Sequence, residues 1–344
     1  MRLQTNIIFG DFKEEIRKLG LTGQGLLCCR RGFDPAQLPG LDLYALRISP
    51  EPTVESVRGY WEEIADRKFD YVLAVGGGSV IDVAKILAAR MENDEEIENF
   101  VGIEKIRRRA KKIIAVPTTH GTGSEVTKYS VLKFKETKKS IVSESICPEV
   151  AIIDEGLTLG MPRDLTLYTS IDALCHNIEA YLAKACDPLN DTICESGVRL
   201  FFEGIEEAMS DLAVGRKRLM LSSVLGGIAI TNAQTLLVHA LSHVVGAVHD
   251  IPHGLANSLF LPSFLKFYEG DEKLSRLEKI LGIDLRKNIE RLYEKHGVKR
   301  LADFVDRAEA VMIAEKAFEN KRLMNGGRKP VTLDDLKEMV LSSF

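Results

Sequence analysis

The chain has 344 residues, 45% hydrophobic and 28% charged, which is enough for two hydrophobic cores, so two domains are expected. A net charge of −4 and a pI near 6.1 give no bulk attraction for phosphate backbones or anionic membranes, and no Lys/Arg tract is interleaved with aromatics, so nucleic acid is set aside as a partner. The six cysteines form no C-x-x-C pair and the N-terminal MRLQTNIIFGDFKEE lacks the apolar stretch of a signal peptide, which makes a reducing cytoplasm the expected setting.

In chain order, RLQTNIIFG reads as an edge strand. GLLCC (25–29), YVLAV (71–75), KIIAV (112–116) and VAIID (150–154) are near-continuous apolar runs bounded by Gly, Pro or charge, the pattern of strands buried on both faces of a parallel sheet. Between them, VESVRGYWEEIADRKF and SVIDVAKILAARM carry helical spacing, which makes βα units. The short run RRRAKK, Arg107 to Lys112, precedes a strand and reads as a solvated charged edge.

Two loops of this half carry polar backbone and hydroxyl groups. VGGGSVIDVAK, Val75 to Lys85, is a strand, a triple glycine and a helix start. Gly76, Gly77 and Gly78 let the backbone approach a ligand, and Ser79 is placed to cap a helix whose free N–H groups favour a phosphate. A tight turn needs glycine as well, so this loop alone leaves both readings open. VPTTHGTGSEVT, Val116 to Thr127, follows another buried strand and brings hydroxyls and N–H groups to the same carboxyl edge of the sheet, which favours a cofactor crevice over ordinary turn chemistry.

After LTLGMPRDLT, residues 157–166, the period becomes helical and stays so, with Asp164 as a candidate N-cap after Pro162. The expected division is an α/β domain over residues 1–157 and an all-helical domain over 158–344. Leu219 to Val248 carries no Asp, Glu, Lys or Arg over a length that spans a bilayer, but its Ser, Thr, Asn, Gln, His and Gly content suits central helices of a folded domain, so no membrane span is expected.

Four of the seven histidines fall in VHALSHVVGAVHDIPHG, residues 238–254, a stretch that otherwise reads as buried. His239 and His243 share one helical face, and His253 follows Pro252, where that helix should have ended. Asp172 and His176 are likewise one turn apart beside the apolar stripe Ile171, Cys175, Ile178, Leu182. One carboxylate and several imidazoles on facing buried helices match the ligand set of a divalent Fe or Zn site with a position open for substrate. Taken singly, each residue reads better as a locally bonded core residue; the set does not.

GGGSVIDVAK, PTTHGTGSEVT, the D-x-x-x-H of Asp172 and His176, and HALSH followed by PHGLAN resemble the group III, iron-containing alcohol dehydrogenases over nearly the whole chain, from NIIFG to TLDDL. The resemblance implies an N-terminal Rossmann-like parallel-sheet domain and an all-α C-terminal domain, the dehydroquinate synthase-like architecture. It implies Asp172, His176, His239 and His253 as metal ligands for Fe(II), with Zn(II) as the alternative, and His243 as an active-site histidine beside the substrate that exchanges the proton. Gly76 to Ser79 and Asp82 match the pyrophosphate turn and its helix. Thr118, Thr119 and Thr122 match the stretch along the nicotinamide, and Lys139 matches, to within one residue, a nucleotide-contacting lysine. His249 has no ligand counterpart. A small alcohol or aldehyde substrate and a homodimer built through the N-terminal region are also implied.

The departures from the family pattern are informative. NAD-preferring members often carry an Asp at the end of the first cofactor strand, where this chain has CCRRG, with Arg30 in that place and Arg31 beside it. A guanidinium there attracts a 2′-phosphate, which predicts NADP(H) over NAD(H). His120 replaces the small residue usual in the Thr-Gly loop, and is expected either beside the nicotinamide or facing solvent. The loops after Gly32 and near the C-terminus are trimmed, and the Gly-Gly-Asn-Pro-Arg motif appears as GGRKP at 326–330.

Three other readings stand beside a metal-dependent alcohol dehydrogenase or aldehyde reductase. One is a zinc polyol dehydrogenase of the glycerol type. Another is a dehydroquinate-synthase-like lyase, which needs a basic pocket for a phosphorylated acid, whereas the helical half has few Lys/Arg near the histidine block. The third is a catalytically silent protein that keeps metal and nucleotide for a structural role.

Overall fold

The apolar runs of the first half form the centre of a six-stranded, fully parallel sheet. The computed structural model describes residues 1–134 and 137–344. Its strands are β1 (Asn6–Phe9), β2 (Gln24–Cys29), β3 (Asp42–Arg47), β4 (Tyr71–Gly76), β5 (Gly102–Ile103), β6 (Ile113–Pro117), β7 (Tyr129–Phe134), β8 (Thr137–Val142) and β9 (Val150–Ile153). The main sheet runs β1-β9-β6-β4-β2-β3, and β5-β8-β7 form a small second sheet. As in other all-parallel sheets, both faces are covered. Leu26, Cys28, Val72 and Ala74 pack on the side of helices α2 (Val54–Ile64) and α3 (Gly78–Arg90). Leu27, Cys29, Leu73 and Val75 pack on the opposite face with Phe12 and Ile16 of α1 (Phe12–Lys18).

The N-terminal strand lies at the sheet edge, paired in register with β9. β3 and the β7–β8 hairpin escape the sequence reading, because each is only partly buried and lacks the continuous apolar run of the central strands. Arg107 and Arg108 are exposed and paired with Glu95 and Asp94, which fits the charged-edge reading of that segment.

The helical half begins with α4 (Arg163–Tyr181), followed by α5 (Pro188–Met209), α6 (Ala213–Asn232), α7 (Leu237–Val248), α8 (His253–Phe267), α9 (Glu272–Leu281), α10 (Leu285–His296), α11 (Arg307–Phe318), α12 (Lys321–Met324) and α13 (Leu333–Leu341). Two capping expectations are corrected. Pro162 occupies the N-cap of α4 and Asp164 sits in its first turn, where its charge favours the helix dipole without capping it. Gly77, not Ser79, is the N-cap of α3, which starts at Gly78 and has no side-chain cap.

Helix α4 is buried continuously from Ser170 to Tyr181, so the polar residues of that stretch face protein rather than water. The uncharged stretch covers α6 beyond Arg218 and all of α7, the two helices are bent by 105° at the break between them, and among the described residues no single helix is long and apolar enough to cross a membrane. Close contact between the two halves depends on glycine. A Cβ on Gly227 of α6 would lie 2.7 Å from the Gly123 carbonyl, and one on Gly226 would lie 3.1 Å from the Cβ of His176. The Thr-Gly loop and α6 can therefore meet at backbone distance, which holds α4 against the carboxyl edge of the sheet.

Candidate active site

The site is organised by α4. Asp172, His176 and Glu179 lie on one face of it, 3%, 4% and 0% exposed. The first N–H groups of α7 have no local side-chain cap; Glu179 supplies one from outside, with its Oε1 accepting from Val238 N at 2.8 Å. The other Glu179 oxygen accepts from Nδ1 of His239. That bond leaves Nε2 of His239 free on the side facing Asp172. Helix α8 then begins at His253, directly after Pro252, and its first residue turns back toward the same carboxylate.

Three imidazole nitrogens converge on one oxygen. Asp172 Oδ1 lies 3.5 Å from His176 Nε2, 3.6 Å from His239 Nε2 and 3.7 Å from His253 Nε2. Donor atoms of Asp172, His176 and His239 all fall within 4.8 Å of one another. For a tetrahedral ion with ligand bonds of about 2.1 Å, neighbouring ligand atoms stand roughly 3.4 Å apart, so this set fits a divalent metal. Asn257 on α8 donates from Nδ2 to Asp172 Oδ1 at 2.7 Å and lies 3.4 Å from Nε2 of both His239 and His253, which fixes the carboxylate in place.

The electrostatics show how strongly these groups depend on one another. Burial alone would push Asp172 up, but the surrounding His176, His253 and His239 outweigh it and hold the carboxyl well below its usual range. Burial opposes a charge on His239, yet Glu179 and Asp172 together raise it to about 9. His253, with fewer compensating groups, is pushed by burial down to about 3.

His243 stands beside this group, its ring 5.4 Å from that of His253 and 6.0 Å from that of His239. Burial first, then the neighbouring histidines, Lys138 and Arg322 keep it well below its ordinary value, so it is a neutral base facing the cleft. The same cleft runs past Thr122, Gly78, Ser79 and Asp82 at the start of α3. Close packing of the two loops explains the glycines: a Cβ on Gly77 would lie 3.2 Å from Thr119, and one on Gly78 would lie 2.6 Å from Thr122. Gly76 meets the loop through its carbonyl, which accepts from Thr118 N at 3.0 Å. Asp82 is held by Ser124 Oγ at 2.6 Å and Val131 N at 2.9 Å, so it also ties α3 to the loop and to β7.

Other residues singled out from sequence fall elsewhere. Arg30 is exposed at the end of β2, one residue beyond the Cys29–Val75 register pair and therefore level with Gly76. Lys139 is exposed and lies over the Phe134 ring, while Lys138, one residue earlier on β8, lines the cleft. The one-residue difference changes which side of the strand the lysine faces. His249 closes α7, 3.4 Å from the Glu309 carboxylate.

His120 corrects both expectations for it, since it neither faces solvent nor lines the cleft. Arg216, itself 2% exposed, donates to His120 Nε2 at 3.1 Å and to Thr166 Oγ1 at 2.6 Å. Arginine has no acceptor, so Nε2 must be the bare nitrogen and Nδ1 the one that donates, to Ser170 Oγ at 3.2 Å. The ring pins the Thr-Gly loop to α4 and α6. GGRKP serves a similar purpose at the other end of α4: the Gly326 carbonyl accepts from Lys184 N, and Arg328 N donates to the Leu182 carbonyl.

Sequence reasoning missed Glu179, Asn257 and Arg216. A signal existed for Glu179, an acidic residue one turn beyond His176 in an apolar helix.

The comparisons with known proteins agree with this geometry. A model described as iron-containing alcohol dehydrogenase matches residues 34–155, and one described as the C-terminal part of the Fe-containing alcohol dehydrogenase family matches residues 166–343. The chain belongs to the iron-containing alcohol dehydrogenase family. Members of this family are oxidoreductases. An alcohol dehydrogenase of Thermococcus barophilus is 30% identical over 316 residues, 86% of this chain and 83% of its own length. An NADPH-dependent butanol dehydrogenase of Clostridium saccharobutylicum is 34% identical over 239 residues, 68% of this chain and 61% of its own length. The solved structure of an iron-containing alcohol dehydrogenase from Thermococcus thioreducens superposes with a TM-score of 0.91 at 26% identity, covering 100% of this chain and 99% of its own.

Two expectations follow for this family member. Glu179→Gln keeps a hydrogen-bonding side chain but loses the charge on His239, and should weaken Fe(II) or Zn(II) binding roughly 10- to 100-fold by competition with a chromophoric chelator; unchanged affinity would contradict the role given to Glu179. His120 is held at about 3 by burial and by Arg216, against an ordinary value of 6.5. Its contribution to stability is therefore complete above pH 6.5 and is lost as the pH falls toward 3. His120→Gln should flatten the decline of unfolding free energy over that window, and a slope parallel to the unsubstituted protein would show that His120 is not the group responsible.

Proposed function

We propose that the protein is a metal-dependent, NADP(H)-preferring alcohol dehydrogenase or aldehyde reductase acting on small alcohols and aldehydes. The observation that carries this reading is the convergence of Asp172 and the three imidazoles on a cleft that also contains the uncapped start of α3. Asp172, His176, His239 and His253 would hold the divalent metal, Fe(II) in first place and Zn(II) as the alternative. When bound, the metal supplies Lewis acidity at the substrate oxygen. The nicotinamide cofactor supplies or takes up the hydride.

The chain's own residues do the rest. Gly77, Gly78 and Ser79 present unpaired backbone N–H groups for a pyrophosphate. Thr122 lines the cleft beside Gly78, with Thr119 packed against Gly77 and Thr118 bonded to the Gly76 carbonyl behind it. Neutral His243, lining the cleft beside His239 and His253, would hold or pass the proton. Arg30, level with Gly76 and without an ion-pair partner among the described residues, would be the group to meet a ribose 2′-phosphate. The name of the butanol dehydrogenase relative points the same way.

Fe(II)-reconstituted protein should oxidise NADPH in the presence of small aldehydes, faster than NADH, and His253→Ala should lose both metal and turnover. No turnover despite metal and nucleotide binding would overturn the dehydrogenase reading. Product formation without net consumption of nicotinamide would favour the lyase instead. Arg30→Asp should shift the cofactor ratio roughly 10-fold or more toward NADH, since a charge-assisted bond to the phosphate is lost and a carboxylate is offered to the ribose; an unchanged ratio removes Arg30 from the account.

A further inference from the structure

Among the described residues, three cations face the cleft from segments distant from the histidines: Lys133, Lys138 and Arg322. Their absence from the neighbourhood of the histidines in the sequence is therefore reversed by the fold. The two lysines are already neutralised, Lys138 by Glu51 at 2.7 Å and Lys133 by Asp250. The carboxylates lining the cleft are also committed. Glu51 pairs with Lys138, Asp82 accepts from Ser124 and Val131, and Asp172 belongs to the metal set.

Among the described residues Arg322 has no such partner. It sits on the short α12, is half-buried, and its side chain makes one hydrogen bond among the described residues, to the neutral Gln234 Oε1 at 3.4 Å. A guanidinium cannot shed its proton, so a half-buried one without a counter-ion is costly unless an anion comes to it. Helix α12 packs against α7, which carries His239 and His243, and Arg322 lines the same cleft as both. A divalent metal held at Asp172 would be balanced by Asp172 and Glu179 together, which leaves Arg322 as the charge at this end without a counter-ion among the described residues. Tyr129, Ile230 and Thr235, none of them charged, line the cleft with Arg322.

We propose that Arg322 is a specificity-determining residue and that the substrate is a short aldehyde or alcohol carrying a carboxylate, bound by the guanidinium fork while its carbonyl or hydroxyl end lies at the metal ligands. The planar fork suits a carboxylate in a way that a lysine would not. This inference rests on the dehydrogenase reading for the reaction, but the recognition of the acid group does not.

The test compares succinic semialdehyde with butanal, which share a four-carbon chain, on the Fe(II)-loaded enzyme with NADPH. Unsubstituted enzyme should prefer the semialdehyde, and Arg322→Met should lower the ratio of kcat/KM values roughly 10- to 100-fold, chiefly through KM, with Arg322→Lys recovering part of it. Calorimetric binding of 4-hydroxybutyrate to the metal-loaded protein is measured alongside, because it does not depend on turnover. Binding that Arg322→Met weakens by the same factor supports the proposal even if neither aldehyde is reduced, an outcome that would sink the dehydrogenase reading alone. Equal losses on both aldehydes, no preference for the semialdehyde in the unsubstituted enzyme, or an effect confined to the KM for NADPH would overturn it.

Discussion

Two carboxylates buried on one helix set the terms for everything around them. Asp172 and Glu179 are taken out of water on α4, and a buried carboxylate is tolerated only when donors or cations surround it. Glu179 is met by His239 and by the free N–H groups of α7, which fixes where the uncharged stretch must break and restart. Asp172 is met by Asn257 and three imidazoles, which fixes where α8 must begin. The bend between α6 and α7, the turn before Pro252 and the burial of α4 are all consequences of supplying partners to these two groups.

The same constraint ties the helical half to the sheet. His176 can face the cleft only if α6 and the Thr-Gly loop come close, and the glycines at 123, 226 and 227 permit that approach. His120 and Arg216 then lock the loop from behind with a bond pattern that admits one tautomer. The loop that a nucleotide would touch and the helix that carries Asp172 and His176 are thus tied together by direct hydrogen bonds. Catalysis by alignment depends on such ties, because small displacements of reacting groups are expensive.

Much of this was legible in the sequence, for stated reasons. The central strands announce themselves by continuous apolar runs, and the i,i+4 pairs Asp172/His176 and His239/His243 are visible because helical spacing is local. What was not legible depends on contacts between distant segments. β3 and the β7–β8 hairpin lack a two-sided apolar pattern. The cleft lysine is Lys138 rather than Lys139 because strand register, not residue type, decides which side faces inward. The capping at α3 differs because the close approach of Thr119 and Thr122 gives glycine the N-cap position, where Ser79 was expected. His120 looked like a loop residue and is core, since its partner Arg216 lies 96 positions away. Arg322 lies 69 positions beyond His253 and is brought to the histidines only by the fold.

The central claim is that Asp172, His176, His239 and His253 form one divalent-metal site with His243 outside the ligand set. Crystals of Fe(II)-loaded protein, with anomalous diffraction measured at the iron edge, test it most directly. The account predicts a single strong peak about 2.0–2.2 Å from a carboxylate oxygen of Asp172 and from Nε2 of His176, His239 and His253. A peak ligated by His243 in place of His253, or no peak among these residues, would contradict it.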